Sequence, residues 1–126
     1  MQRKLVRTGE NLLQIELRCP KQIEAGGTIR FSAFFLSLKD GPFNPTSIAA
    51  KVYEGTQMAN LRATLVPIQD NRGIGSYFAD YAVPPSQPTG PLAVVWTGSY
   101  MQSDELSSYA LQATQIFRAI NPPAWV

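Results

Sequence analysis

Carboxylates, hydroxyls, one thiol and eleven Lys or Arg side chains make up the reactive inventory of this chain, and histidine is absent from all 126 positions. Without an imidazole there can be no Ser-His-Asp triad, no Cys-His dyad, no His-ligated zinc and no His general base. The nine acids are scattered along the chain. Asp104 and Glu105 are adjacent, which on a strand sends them to opposite faces and prevents them from sharing a metal or a proton. Asp40, Asp70, Asp80 and Asp104 could gather at one end of a fold around Ca²⁺, but no Asp-x-Asp or Asp-x-Asn spacing supports that arrangement. They read as solvated turn residues. The fragment Gly73-Ile-Gly-Ser looks like part of a phosphate loop, yet a strand pattern follows it, so the helix N-terminus that binds phosphate is missing. Cys19 is the single cysteine, which excludes an intrachain disulfide and a thiolate metal cluster. Set just before Pro20, it reads as a small, half-buried residue at a strand end. The chain is expected to be no enzyme, to need no cofactor and to take no small-molecule substrate.

What remains is binding chemistry. Tyr53, Phe78, Tyr100, Tyr109 and Trp125 fall on expected outer faces, loops or the tail. Clustered, they could form a protein interface or a sugar-stacking platform. No acidic or amide cluster flanks them to grip sugar hydroxyls, which favours the protein interface. Of the eleven cations, Arg3, Lys4 and Arg7 lie in the first seven residues, leaving eight cations against nine acids in the rest. The body is near neutral and the basic character is concentrated at one end. Residues 1–11 therefore read as a basic arm. Three charges supply too weak an electrostatic term to hold nucleic acid. Residues 121–126, Asn-Pro-Pro-Ala-Trp-Val, read as a stiff extended tail whose Trp125 could anchor in a neighbouring subunit.

Between these ends the hydrophobic pattern has a period of two. Leu13, Ile15 and Leu17 alternate with polar residues before Pro20, and the run from Thr28 to Leu38 places Ile29, Phe31, Ala33 and Phe35 on one face. On its other face Phe34, Leu36 and Leu38 are apolar as well, so that half of the strand must be covered on both sides or carry an interface. Further alternations occupy Ile48 to Glu54, Leu61 to Leu65, Gly75 to Val83, Leu92 to Thr97 and Tyr109 to Ile120, separated by Gly, Pro, Asn and Asp turns. Residues 104–120 also show helical spacing, but a sandwich needs a strand beside Leu92–Thr97, and the strand is favoured. Seven short strands predict an all-β, antiparallel two-sheet sandwich over residues 12–120, with extended arms at both ends. Charged residues are 16% of the chain, against about 25% in an average soluble domain. No run approaches the roughly 18 apolar residues of a membrane span.

Two stretches carry a family resemblance. One is Glu24-Ala-Gly-Gly-Thr-Ile-Arg-Phe with Leu38-Lys-Asp-Gly-Pro; the other is Gly75-Ser-Tyr-Phe-Ala-Asp-Tyr-Ala-Val-Pro with Pro88-Thr-Gly-Pro-Leu-Ala-Val-Val-Trp. Together they resemble the immunoglobulin-like sandwiches of the macroglobulin and bacterial Ig-like type, in which an alternating large–small strand ends at Val-Pro and a Pro-x-Gly turn opens the next. The disulfide of antibody domains is not matched, and Trp96 falls on a late strand. Such sandwiches serve many roles, so the resemblance implies fold more than function.

A small Ig-like sandwich with no secretion signal, no disulfide and extended arms resembles the accessory proteins of tailed-bacteriophage virions. That implies a structural protein, foremost a capsid decoration or cement protein, made in the host cytoplasm without a signal peptide and located in the virion. Its partners would be capsid or tail proteins, or copies of itself, with no membrane involved. The interface residues expected are Arg3, Lys4, Arg7, Phe34, Leu36, Leu38, Tyr53, Phe78 and Trp125. A neck, tail or fibre-attachment role is the first alternative, and a carbohydrate-binding or adhesive Ig-like module of a secreted protein the second.

Overall fold

Alternation with a period of two turns one row of side chains from each strand into a common core. The computed structural model describes residues 2–8, 11–101 and 108–121. Its strands are β1 (Gln2–Thr8), β2 (Asn11–Arg18), β3 (Gln22–Glu24), β4 (Thr28–Ser37), β5 (Gly41–Pro42), β6 (Ile48–Glu54), β7 (Asn60–Leu65), β8 (Ile68–Gln69), β9 (Ser76–Ala82), β10 (Gly90–Met101) and β11 (Ser108–Ile120). The first sheet has the order β1-β2-β4-β9-β8, with β5 paired to β4; the second has the order β3-β11-β10-β6-β7. The protein is all-β, a sandwich of these two sheets. Seven of the eleven strands are those the alternation predicts. The other four, β1, β3, β5 and β8, extend the sheets, and β3 pairs parallel to β11 where an all-antiparallel arrangement was expected.

The core is built from both inner rows. Leu13, Ile15 and Leu17 of β2, and Ile29, Phe31, Ala33 and Phe35 of β4, meet Val52 of β6, Leu92, Val94 and Trp96 of β10, and Leu111 and Phe117 of β11. Phe31 and Phe117 join the sheets ring to ring, with centroids 5.1 Å apart. Each of these large side chains contributes about 1.5–3 kcal/mol on burial. Alternation of Tyr77, Ala79 and Tyr81 on β9 lets the facing layers interdigitate, and Ala79 and Tyr81 are buried.

Two expectations change. The basic segment expected to be a free arm forms β1, paired with β2 in unbroken register from Gln2↔Leu17 to Thr8↔Asn11. Charge does not prevent a strand: the segment has no proline, its backbone groups gain a ladder, and Arg3 Nη2 lies 3.4 Å from Glu16 Oε1. Tyr100, expected outside, is buried. β10 runs on past Thr97 to Met101, so the inward row Trp96, Gly98, Tyr100 continues. The Tyr100 hydroxyl donates to Asp40 Oδ2 at 3.0 Å, and its ring packs on Phe43 at 4.8 Å. The helical alternative for residues 104–120 gives way to β11, whose ladder with β10 runs from Met101↔Ser108 to Gly90↔Ala119. Residues 102–107 and 122–126 lie outside the described residues.

Candidate protein-binding surfaces

On β4, even-numbered positions from Arg30 to Leu36 point away from the core. Phe34 lies opposite Glu16 of β2 and Ser76 of β9, Leu36 opposite Gln14 of β2 and Pro42 of β5, and Ser32 opposite Phe78 of β9. Phe34, Leu36 and Phe78 are thus brought to one face of the first sheet, each half-buried. Leu38, just past the end of β4, is exposed. Arg3 reaches the same face through its pair with Glu16. Arg30 crosses to Asp80 with two hydrogen bonds, Nε to Oδ1 at 2.8 Å and Nη2 to Oδ2 at 2.9 Å, while its guanidinium lies 4.0 Å over the Phe78 ring. The Arg30 hydrogen bonds hold the Asp80 carboxyl below the usual carboxylate range, and the guanidinium pKa is raised in return.

Tyr53 is not part of this group. It lies on the outer side of the second sheet, opposite Ala93 and Leu61. Lys4 is exposed on β1, opposite Ile15. Arg7 also belongs to β1, but its side chain lies outside the described residues, as does the whole of Trp125.

The largest concentration of exposed apolar side chains lies where the alternation pattern did not point. Among the described residues eight large hydrophobics are exposed, and five of them, Met58, Leu61, Val66, Ile68 and Ile74, fall between residues 58 and 74. That segment crosses from β7, the edge of the second sheet, to β8, the edge of the first. Val66 is 80% exposed, Ile74 60% and Ile68 53%. Ile68 lies opposite Phe78, which joins this edge to the apolar face of β4 and β9. The signal available in the sequence was Val66-Pro67-Ile68, where two β-branched residues flank a strand-breaking proline and serve neither period.

The loop that presents Ile74 is tightly tied. Asp70 N donates to Ser76 O at 2.8 Å, Gly73 N to Asp70 O at 3.1 Å, and Arg72 N to Asp70 Oδ1 at 3.2 Å. Gly75 N donates to Asn44 Oδ1 at 2.9 Å, and Phe35 N donates to Gly75 O at 2.9 Å. Gly75 has φ +86°, and a Cβ there would meet the Phe35 carbonyl oxygen at 2.6 Å, so only glycine fits this junction. Beside the loop an open cleft of about 210 Å³ is lined by Glu16, Arg18, Phe34, Asp70, Arg72 and Ser76 among others. Its charges are of both signs, and Asp70 pairs with Arg72 at 4.0 Å.

Two of the carboxylates singled out in the sequence have structural partners. Asp40 accepts from Tyr100 and Asp80 from Arg30. Cys19 is half-buried at the end of β2, and burial pushes its thiol pKa up to about 11, which leaves little thiolate for nucleophilic attack.

No protein-family model and no curated protein matches this chain. Among solved structures it is similar to a DUF4785 family protein from Legionella pneumophila subsp. pneumophila str. Philadelphia 1, with a TM-score of 0.58 at 6% sequence identity. The likeness covers 86% of this chain but only 28% of the other, so this chain spans little more than a quarter of that protein's length. At so low an identity it is a likeness of fold, and the fold is the β-rich two-sheet sandwich.

Proposed function

We propose that this chain is a non-catalytic structural domain that binds other protein subunits through the β7–β8 edge and the adjoining outer face of β4 and β9. The observation that carries the proposal is the exposure of Val66, Ile68 and Ile74 in the stretch around β8, where Ile68 lies opposite Phe78 on the outer side of the first sheet. Several large apolar side chains exposed within one short stretch cost solubility unless something covers them, and such groups mark interaction sites. The hydrogen-bonded loop supports the same reading, because a pre-organised apolar tip loses little conformational entropy on docking.

The narrower form of the proposal is a virion accessory subunit of Ig-like type, a capsid decoration protein first and a neck, tail or fibre-attachment protein second. It is supported by the sequence resemblance and by the near-neutral, aromatic-rich body. The carbohydrate-binding alternative loses support from the geometry: Phe78 is capped by the Arg30 guanidinium, and Tyr53 sits on the opposite sheet. These two do not form a shared stacking platform.

The test is a triple variant, Val66→Ser, Ile68→Thr and Ile74→Ser, compared with the parent chain for cosedimentation with particles or subunits purified from the native source. Because the three side chains are exposed, thermal stability should change little, while association is lost. Undiminished association would overturn the proposal. Specific glycan binding that survives the triple variant would shift it to the carbohydrate reading.

A further inference from the structure

Among the described residues β1 and β8 end the first sheet and β3 and β7 the second, while β11 is unpaired beyond β3 over residues 108–117, where it lies beside β1 and β2 of the other sheet; these edges are not equal. β8 has two residues and β3 three. β7 has six, but its ladder with β6 is broken by a register shift at Val52/Tyr53. β1 has seven residues, Gln2–Thr8, with no proline and an unbroken register to β2. Short, bulged or proline-bearing edges resist the addition of another strand. β1 has none of these three, and the guard it does have is charge, Arg3, Lys4 and Arg7, which an acidic strand would neutralise. It is the outermost strand of the first sheet, so alternate N–H and C=O groups along it face away from β2.

Its side chains select what could pair there. The strand carries Arg3, Lys4 and Arg7 and no acid. Leu5, between them, is 51% exposed. Arg3 lies opposite Glu16, and Leu5 opposite Gln14, on the outer side of the sheet; Lys4 lies opposite Ile15. A second copy pairing antiparallel about Leu5 would set Arg3 against Arg7 twice, and like charges directly opposite one another destabilise a ladder. An acidic strand with one apolar residue facing Leu5 meets the opposite condition at every position.

We propose that β1 accepts an extended acidic segment of a partner protein as an added strand of the first sheet. Backbone hydrogen bonds to the outward groups of β1 supply the attachment, and acids at the register positions opposite residues 3, 4 and 7 supply charge of the opposite sign for selection. The inference rests on the subunit-binding reading above but uses a different edge of the molecule, so each can fail alone.

The test uses the full chain and three synthetic peptides: TETVEET, its charge-reversed form TKTVKKT, and TETPEET, whose central proline keeps the charge but removes a ladder donor. Binding is followed by fluorescence anisotropy at low salt and by amide hydrogen exchange. TETVEET should bind and slow exchange within residues 2–8, and TKTVKKT should not bind. TETPEET should bind about tenfold more weakly. The double variant Lys4→Glu, Arg7→Glu should weaken TETVEET about tenfold or more; the milder Lys4→Thr, Arg7→Thr serves if the first fails to fold. Equal binding of TETPEET and TETVEET would reduce the effect to simple charge attraction and overturn the proposal. So would TETVEET binding unaffected by the double variant, no binding at all, or dimerisation of the chain through β1. The Val66, Ile68, Ile74 triple variant should bind TETVEET normally, which separates failure of this inference from failure of the apolar edge.

Discussion

Gly75→Ala tests how the apolar edge is held in place. Gly75 joins three segments: its N–H donates to Asn44 Oδ1, its carbonyl accepts from Phe35 N, and the Phe35 carbonyl in turn accepts from Phe43 N at 3.2 Å. An added Cβ would stand 2.6 Å from the Phe35 oxygen and 3.3 Å from both the Phe43 oxygen and the Phe34 ring. Two costs follow. A left-handed backbone for alanine costs roughly 1–2 kcal/mol, and forcing the packed β4 backbone aside costs roughly 1–3 kcal/mol, for a total of about 2–5 kcal/mol. Gly55→Ala isolates the first cost, because Gly55 has a similar φ of +80° with nothing within 4 Å of its added Cβ. The two variants should therefore differ by about 1–3 kcal/mol. With an m-value of roughly 1–3 kcal/mol per molar urea, this separates their midpoints by about 1 M in urea titrations followed by far-UV circular dichroism. Coincident midpoints would refute the close-approach argument, and with it the claim that the loop bearing Ile74 is rigidly seated.

The Arg30–Asp80 pair should make stability sensitive to acid. The folded pKa of Asp80 is depressed, so its contribution is complete above the unfolded value of about 3.9 and is lost as pH falls through the lower folded value. The urea midpoint of the parent chain should exceed that of Asp80→Asn at pH 7, and the difference should shrink by pH 2.5; a constant or growing difference would count against the pair. Cys19, with its pKa pushed up to about 11, should react with a disulfide reagent at pH 8 on the order of a hundredfold more slowly than free cysteine, and a rate within a few-fold of free cysteine would show that the thiol is not buried as described.

Much of the architecture was legible because period two is a local property. Leu13, Ile15 and Leu17, or Phe31, Ala33 and Phe35, announce an inward row whatever their partners are, and all six are buried. Pro20, Pro67 and Pro84 close strands for equally local reasons. Strand addition at the edges was not legible. β3, β5 and β8 have only two or three residues each, too few for any period, and they exist because a neighbouring strand offers backbone partners. β1 was hidden by its charge, which says nothing about whether a ladder is available.

The candidate surfaces divide in the same way. Phe34, Leu36 and Phe78 could be assigned to an outer face from alternation alone, and the structure gathers them because β4 and β9 are neighbours in register. Tyr53 has the same local signature but lies on the other sheet, and pattern does not reveal which sheet a strand joins. Val66, Ile68 and Ile74 carry no outward signature at all. Val66 lies in the connection between β7 and β8, which are edges of different sheets, while Ile68 sits on the edge strand β8 itself and Ile74 in the loop that follows it.

The sequence alone established that imidazole chemistry and an intrachain disulfide are closed to this chain, the sites of its main strands and the inward row of most of them, since these depend on residue type and on spacing within a few positions. Pairing order decided the rest: that the basic segment is a strand, that Tyr100 is core, and that Ile68 lies opposite Phe78 on an outer face. Hydrogen bonding between strands distant in sequence sets that order, and with it which face and which edge each hydrophobic residue ends on.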